Sequence, residues 1–492
     1  MKVLFLNPPF HPRFSRESRS PAVAKSDTLY YPKWLSYAAG VALQNGHDVD
    51  LVDAPAWEVN TQYVIDRIAQ KGIQAVVCDT STPSIVNDLR VVQTIRQQYP
   101  KMPVCMVGRH VSVLAEETLR SAPSLDYVAV REYEYTVRDW LAALASGASM
   151  EAVDGLVWRN RRGEIVRNKP RAAIENLDEL PFVTEVYKRY LRVEDYFYGH
   201  SLHPLVVFDT SRGCPFQCSF CVYPQTFSGH TMRYRSVGNV ADEFDFVARE
   251  LPQIKTIMLE DDTFIINKHR TLELANELIR RGNKIPFDSN CRADIGGDVE
   301  FMKTLHQAGA RLFCVGFESG DDAVLKHMKK SLKLSKADVF VEACRKAGIM
   351  VHGCFMVGNL NETRKTMEET LALAKHLNPD TAQFFPIMVY PGTSAYNEAK
   401  KKGYIASEDF SNWLTEEGLH NSVVNLPGVT HQELVEFCDR ARREFYLRPS
   451  YLLYKLRQSL TDYREFKRNL KGFAKLSRYL LRGSFPKPEA RT

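Results

Sequence analysis

A chain of 492 residues is too long for one hydrophobic core and reads as two or three domains. With 44% hydrophobic and 25% charged residues and no Gly/Pro excess, extensive disorder is excluded. Net charge is +6, yet residues 440–492 alone hold 15 Lys/Arg against 4 Asp/Glu, so the rest of the chain is acidic.

The N-terminal "MKVLFLNPPF" lacks the long apolar core and cleavage site of a signal peptide, and no run reaches about eighteen apolar residues. A cytoplasmic protein with reduced thiols is expected. Short β-branched runs at 2–7, 48–54, 75–81, 104–109 and 127–130 alternate with helix-period stretches at 33–45, 61–71, 84–98 and 114–121. That alternation predicts a doubly wound parallel sheet over 1–150. Ligands of such sheets bind at the strands' carboxyl ends, here Asn7-Pro8, Ser81-Thr82 and Gly108-Arg109-His110.

Residues 151–200 read as a linker with a hairpin turning at Arg162-Gly163. A second alternation, with strands at 206–210, 256–260, 286–291, 311–317, 350–357 and 381–390, predicts a partial, open (β/α)6 barrel over 201–400. Residues 401–492 are expected to be helical and basic, with a break at Arg448-Pro449.

"SRGCPFQCSFCVYPQ" follows the first barrel strand and places Cys214, Cys218 and Cys221 in a C-x3-C-x2-C spacing. Thiolates are the preferred ligands of iron–sulfur clusters, and three of them leave one iron of a cubane open. A zinc site would want a fourth ligand, for which His230 is the nearest extra candidate. Core cysteines with no metal are the third reading. The other cysteines lie mostly in apolar runs, where Cys behaves as a small hydrophobe; Cys291 and Cys354 fall near strand ends.

The cysteine spacing, with Phe220 before the last Cys, resembles the radical S-adenosylmethionine (SAM) superfamily. The resemblance implies a 4Fe-4S cluster whose open iron binds SAM, and cleavage of SAM to a 5′-deoxyadenosyl radical. It places Glu260, Asp261 and Asp262 of "LEDDTF", Asn290 and Arg292 of "SNCRAD", and Glu318 of "VGFESG" around SAM. An ammonium wants carboxylate acceptors, and Arg292 is expected to meet the SAM carboxylate. "GNLNET" departs from the family's Gly-Leu-Pro-Gly-Glu-Thr at Asn359 and Asn361.

Through "NPP", "VGRH", "VREYEYT", "GLVWRN" and "LDELPF", the run before the barrel resembles the cobalamin-binding domain of cobalamin-dependent radical SAM enzymes. That implies cobalamin near Asn7, Pro8, Ser81, Thr82, Gly108, Arg109 and His110. Arg109 stands where the family commonly has a second Gly, and no His lies two residues after an Asp, so a histidine ligand to cobalt is not expected.

The expected activity is methylation of an unactivated carbon. The alternatives are ring formation, ring contraction or oxidation without methyl transfer, and a non-enzymatic carrier. An electron donor of flavodoxin or ferredoxin type is implied. The substrate is expected to be small or lipid-like, because "FYLRPSYLL" and "PIMVYPGTSAYNEAKKKG" resemble members acting on hopanoids and bacteriochlorophyll. Tyr446, Tyr451, Tyr454, Tyr463, Phe466, Phe473 and Tyr479 interleave with basic residues, which fits a helical cap on the barrel or a peripheral membrane contact; no nucleic acid is expected. Tyr223, His230, His352 and Tyr390 are candidates for a lumen-facing base.

Overall fold

The computed structural model describes residues 1–461 and 463–482; the last ten residues of the expected C-terminal region, and the side chain of Tyr479, lie outside them. Strands β1 (Lys2–Asn7), β2 (Asp48–Asp53), β3 (Ala75–Asp79), β4 (Val104–Val107) and β5 (Tyr127–Ala129) are parallel, in the order β2-β1-β3-β4-β5. Their apolar runs are continuous because helices cover both faces. Val3 and Phe5 of β1 enter one core while Leu4 and Leu6 enter another, as the two-residue period of a strand requires.

The hairpin expected inside the linker belongs to this sheet. β6 (Leu156–Arg159) and β7 (Ile165–Arg167) continue it antiparallel, with Tyr127 opposite Trp158. The first unit therefore runs past residue 150, because the hairpin supplies the sheet with an antiparallel edge.

Six further strands, β8 (Leu205–Phe208), β9 (Thr256–Leu259), β10 (Phe287–Cys291), β11 (Ala310–Glu318), β12 (Met350–Val357) and β13 (Thr381–Pro386), form a second sheet paired in chain order and parallel throughout. Helices such as Val237–Glu250 and Lys268–Arg280 connect successive strands. One hydrophobic core runs from Val3 and Phe5 through Trp34 and Tyr187 to Val206, Phe244 and Phe384, so the two sheets share their packing.

Two features position the site. Residues 8–31 form a strap, pinned by a short antiparallel pair (Phe14–Ser15 with Ala22–Val23), that lies over the carboxyl ends of the first sheet and reaches the barrel. At the other end, helices His431–Tyr446, Pro449–Thr461 and Tyr463–Arg482 cover the barrel. The first of them packs against β13, and the break falls at Pro449, tolerated at a first helical position because its missing N–H would lack a partner there anyway.

Candidate functional site

The cysteine loop leaves β8 and is closed at its base by pairing of Ser211–Arg212 with Arg233–Tyr234. Gly213 turns into the loop at φ 94°, with a Cβ there only 2.2 Å from the Thr231 carbonyl oxygen, so no other residue fits. Both arginines of this neck are buried against the first unit: Arg212 against Glu134 at 2.8 Å, Arg233 against Glu132 at 2.5 Å. The "VREYEYT" stretch thus clamps the cysteine loop. Within the loop, the Gln225 amide donates to the carbonyls of Cys218, Ser219 and Cys221.

Among the described residues no three His, Cys, Asp or Glu side chains are grouped to hold one metal ion. In a cubane each thiolate takes its own iron. The His230 ring is engaged with the Cys214 carbonyl at 3.0 Å. Without a metal, burial pushes the Cys214 thiol up to about 11 and Cys221 up to about 12. Iron must therefore supply the charge that holds them as thiolates.

The three cysteines line a cavity of about 610 Å³ together with Glu260, Asp262, Asn290, Arg292 and Glu318. Glu260, at the end of β9, accepts from Asn290 at 3.4 Å, and burial raises its pKa. Asp262 pairs with Arg19 of the strap at 2.8 Å. Glu318, held at φ 65°, pairs with Lys330 at 2.8 Å; Gly316 makes room, since a Cβ there would lie 2.1 Å from Glu318 Oε1. SAM's methionine end carries one ammonium and one carboxylate, and this wall offers acceptors and cations for both. The residues fit the cluster and SAM.

Of the other expected SAM contacts, Asp261 does not line the cavity, whereas Arg292 lines it and is engaged there. The Asp261 carboxylate accepts four hydrogen bonds, from the N–H and hydroxyl of Thr210 and of Ser211, at 2.6–3.2 Å. It fastens the end of β8, and only its carbonyl reaches Asn290, at 3.1 Å. Arg292 is committed to Asp294 at 2.8 and 2.9 Å, stacks on Phe216 at 3.6 Å and reaches Cys218 Sγ at 3.6 Å. It sits over a cluster ligand; Arg19 and Lys330 are further cations of the cavity lining, which also includes Lys25, Arg442, Lys455 and Arg468.

The loops expected around cobalamin are engaged with protein. Asn7 bonds Asp53 at 2.7 Å and also Arg16, a strap residue only 2% exposed. Arg16 is bidentate on Asp88, at 2.8 and 3.3 Å, and donates to Ser84. Pro8 opens the strap and is buried. Ser81 pairs with Ser84 at 2.8 Å, and Thr82 with His110 at 3.2 Å, whose ring meets Phe410 edge-on. Gly108 adopts φ 114° because a Cβ would lie 2.3 Å from the Thr80 carbonyl oxygen. Arg109 donates to the strap carbonyls of Arg16 and Ser18, at 3.0 and 2.6 Å, and stacks on Tyr223. The strap thus lies over the loops expected around cobalamin, and in this conformation Asn7 and Arg109 are bonded to it.

Of the base candidates, Tyr223, His352 and Tyr390 line the cavity, and the Tyr223 phenol donates to the Glu17 carbonyl. His352 stacks on His200 with centroids 4.7 Å apart, and burial lowers the His352 pKa to about 4, keeping it neutral. Cys291 and Cys354 reach the cavity, as do Cys314 and Cys438. Arg19, His200 and Lys330 were invisible in the sequence, since each lies outside any periodic run.

Comparisons with known proteins agree with this layout. The family model of the B12 binding domain matches residues 19–141, and that of the radical SAM superfamily matches residues 209–374. An uncharacterized methyltransferase of Pyrococcus horikoshii is 29% identical over 454 residues, covering 92% of this chain and 94% of that protein. An anaerobic magnesium-protoporphyrin IX monomethyl ester cyclase of Rubrivivax gelatinosus is 25% identical over 459 residues, 92% of this chain and 79% of that one. Among solved structures, the radical SAM methyltransferase TsrM from Kitasatospora setae superposes with a TM-score of 0.68 at 17% identity, covering 91% of this chain and 89% of that chain, a likeness of fold.

Proposed function

The chain belongs to the radical SAM enzymes that carry a B12-binding domain, and on that premise we propose that it methylates an unactivated carbon of a small, largely apolar molecule. The observation that carries this reading is the single cavity where three cysteines, a charged wall and an apolar lumen meet. When bound, the cluster supplies the electron that cleaves SAM homolytically.

The chain's own part is placement. Cys214, Cys218 and Cys221 hold the cluster, while Glu260 and Asp262 accept from SAM's ammonium and Lys330 and Arg19 face its carboxylate. Phe384, Phe385, Tyr446 and Tyr451 keep water from the carbon that reacts. A flavodoxin- or ferredoxin-type protein delivers the electron, and the basic C-terminal helices rest on a membrane surface.

Anaerobically reconstituted enzyme should contain about four irons per chain, lost in the triple Cys→Ala variant; retained iron would refute the assignment. Incubation with SAM and candidate substrates should yield S-adenosylhomocysteine together with 5′-deoxyadenosine. Likeness to the cyclase favours a second reading, ring formation without methyl transfer, and 5′-deoxyadenosine alone would select it.

A further inference from the structure

The reaction cavity opens beneath the C-terminal helices. Leu452 of helix Pro449–Thr461 and Phe473 of helix Tyr463–Arg482 both line it, yet they are 47% and 53% exposed. They form its mouth. Tyr451, Tyr446, Phe384, His200 and His352 line the same cavity as the cysteines.

Around the mouth the same two helices expose Leu453, Leu456, Leu460 and Leu470; Leu460 is 80% exposed. Elsewhere among the described residues, large apolar side chains exposed to this degree are Ile279, Val339 and Leu447, the last just before the first of these helices. A monomer surface rarely concentrates so many unless something covers them. Arg457, Arg464, Lys467 and Lys471 are exposed on the same helices, whereas Glu465 is buried between Arg311 and Arg468. Apolar side chains within a cationic border match the boundary of an anionic bilayer.

We infer that this face docks on an anionic lipid surface, and that the substrate is a bilayer-resident amphiphile entering the cavity directly through the Leu452–Phe473 mouth. A substrate taken from water would gain nothing from an apolar rim, whereas a lipid-soluble one passes from the bilayer to the cavity without exposing its apolar part to water. The substrate half of the inference rests on the proposed reading of this cavity as the reaction site; the docking half does not.

The test is flotation of the full-length enzyme with vesicles of phosphatidylcholine alone or mixed with phosphatidylglycerol. Binding should require phosphatidylglycerol and fall with salt, and L456E/L460E should weaken it about tenfold or more. Iron content and uncoupled SAM cleavage should match the wild type in that variant, and their absence from the wild-type enzyme would instead count against the proposed function. Tryptophan introduced by L452W or F473W should be quenched by brominated lipid, and by V339W, on another exposed surface, it should not. Absence of vesicle binding, binding indifferent to L456E/L460E, or unquenched tryptophan at the mouth would overturn the inference. So would a dimer or a nucleic-acid complex that L456E/L460E abolishes in place of vesicle binding.

Discussion

Glu362 is a carboxylate folded into a place that suits its acid form. One of its oxygens accepts from the N–H groups of Gly358 and Asn359, at 2.6 and 3.0 Å, while the other is buried without a donor, as is Asn359 Oδ1. Burial pushes its pKa up to about 7. A carboxyl whose folded pKa is raised contributes stability that is complete below its unfolded value, about 4.5, and lost as pH rises through 7. The loss is on the order of 3 kcal/mol. E362Q keeps the shape without the charge, so its thermal midpoint should fall less than that of the wild type between pH 5 and 7.5. Parallel curves would show that Glu362 does not control the slope. Burial also raises the pKa of Glu260, but this carboxylate lines the cavity, where SAM's ammonium would meet it. E260Q should raise the SAM dissociation constant roughly 10- to 100-fold, the worth of a charge-assisted hydrogen bond, with iron content unchanged. An unaltered SAM affinity by equilibrium dialysis would remove Glu260 from the SAM contacts.

At the scale of elements, the strap decides what reaches the first sheet. Arg16 and Arg109 fix it from two sides, one through Asp88 and one through strap carbonyls. R109G restores the second glycine common in the family and deletes both carbonyl contacts and the stack on Tyr223. It should raise retention of hydroxocobalamin about tenfold, the equivalent of one or two lost hydrogen bonds, read from the visible spectrum after gel filtration. Equal retention would mean that the strap is no barrier. The alternating strands were legible because a parallel sheet buried on both faces demands apolar runs, and the cysteine triplet was legible because its spacing is itself the chemistry. "RFSRESRSP" has no period, and the fate of Arg16 is settled by Asp88, 72 positions away. The acidic run at 260–262 was visible, but its division of labour was not: neighbours on a strand end point to different sides, so Asp261 turns to Thr210 while Glu260 and Asp262 turn to the cavity.

The whole molecule behaves as one body at the place where chemistry needs rigidity. Glu132 and Glu134 follow β5 of the first sheet, and their arginine partners form the neck of the cysteine loop in the second unit. Arg212 and Glu134 are almost wholly inaccessible, at 2% and 0% side-chain exposure, so removing one partner leaves an uncompensated buried charge. Such a break costs about 3–5 kcal/mol. E134A should therefore lower the thermal midpoint and, because the neck holds all three ligands in register, speed the removal of iron by a chelator although every cysteine is intact. Replacing both partners, as E134A/R212M, removes the stranded charge; stability should recover substantially, since a buried pair and an apolar pair of similar volume differ little in net stability. Chelator-driven iron loss should recover with it if the neck needs packing alone, and should stay fast if the ion pair sets the loop's register. An E134A enzyme that unfolds and loses iron as the wild type does would mean that the two units keep the cluster loop in place without this clamp.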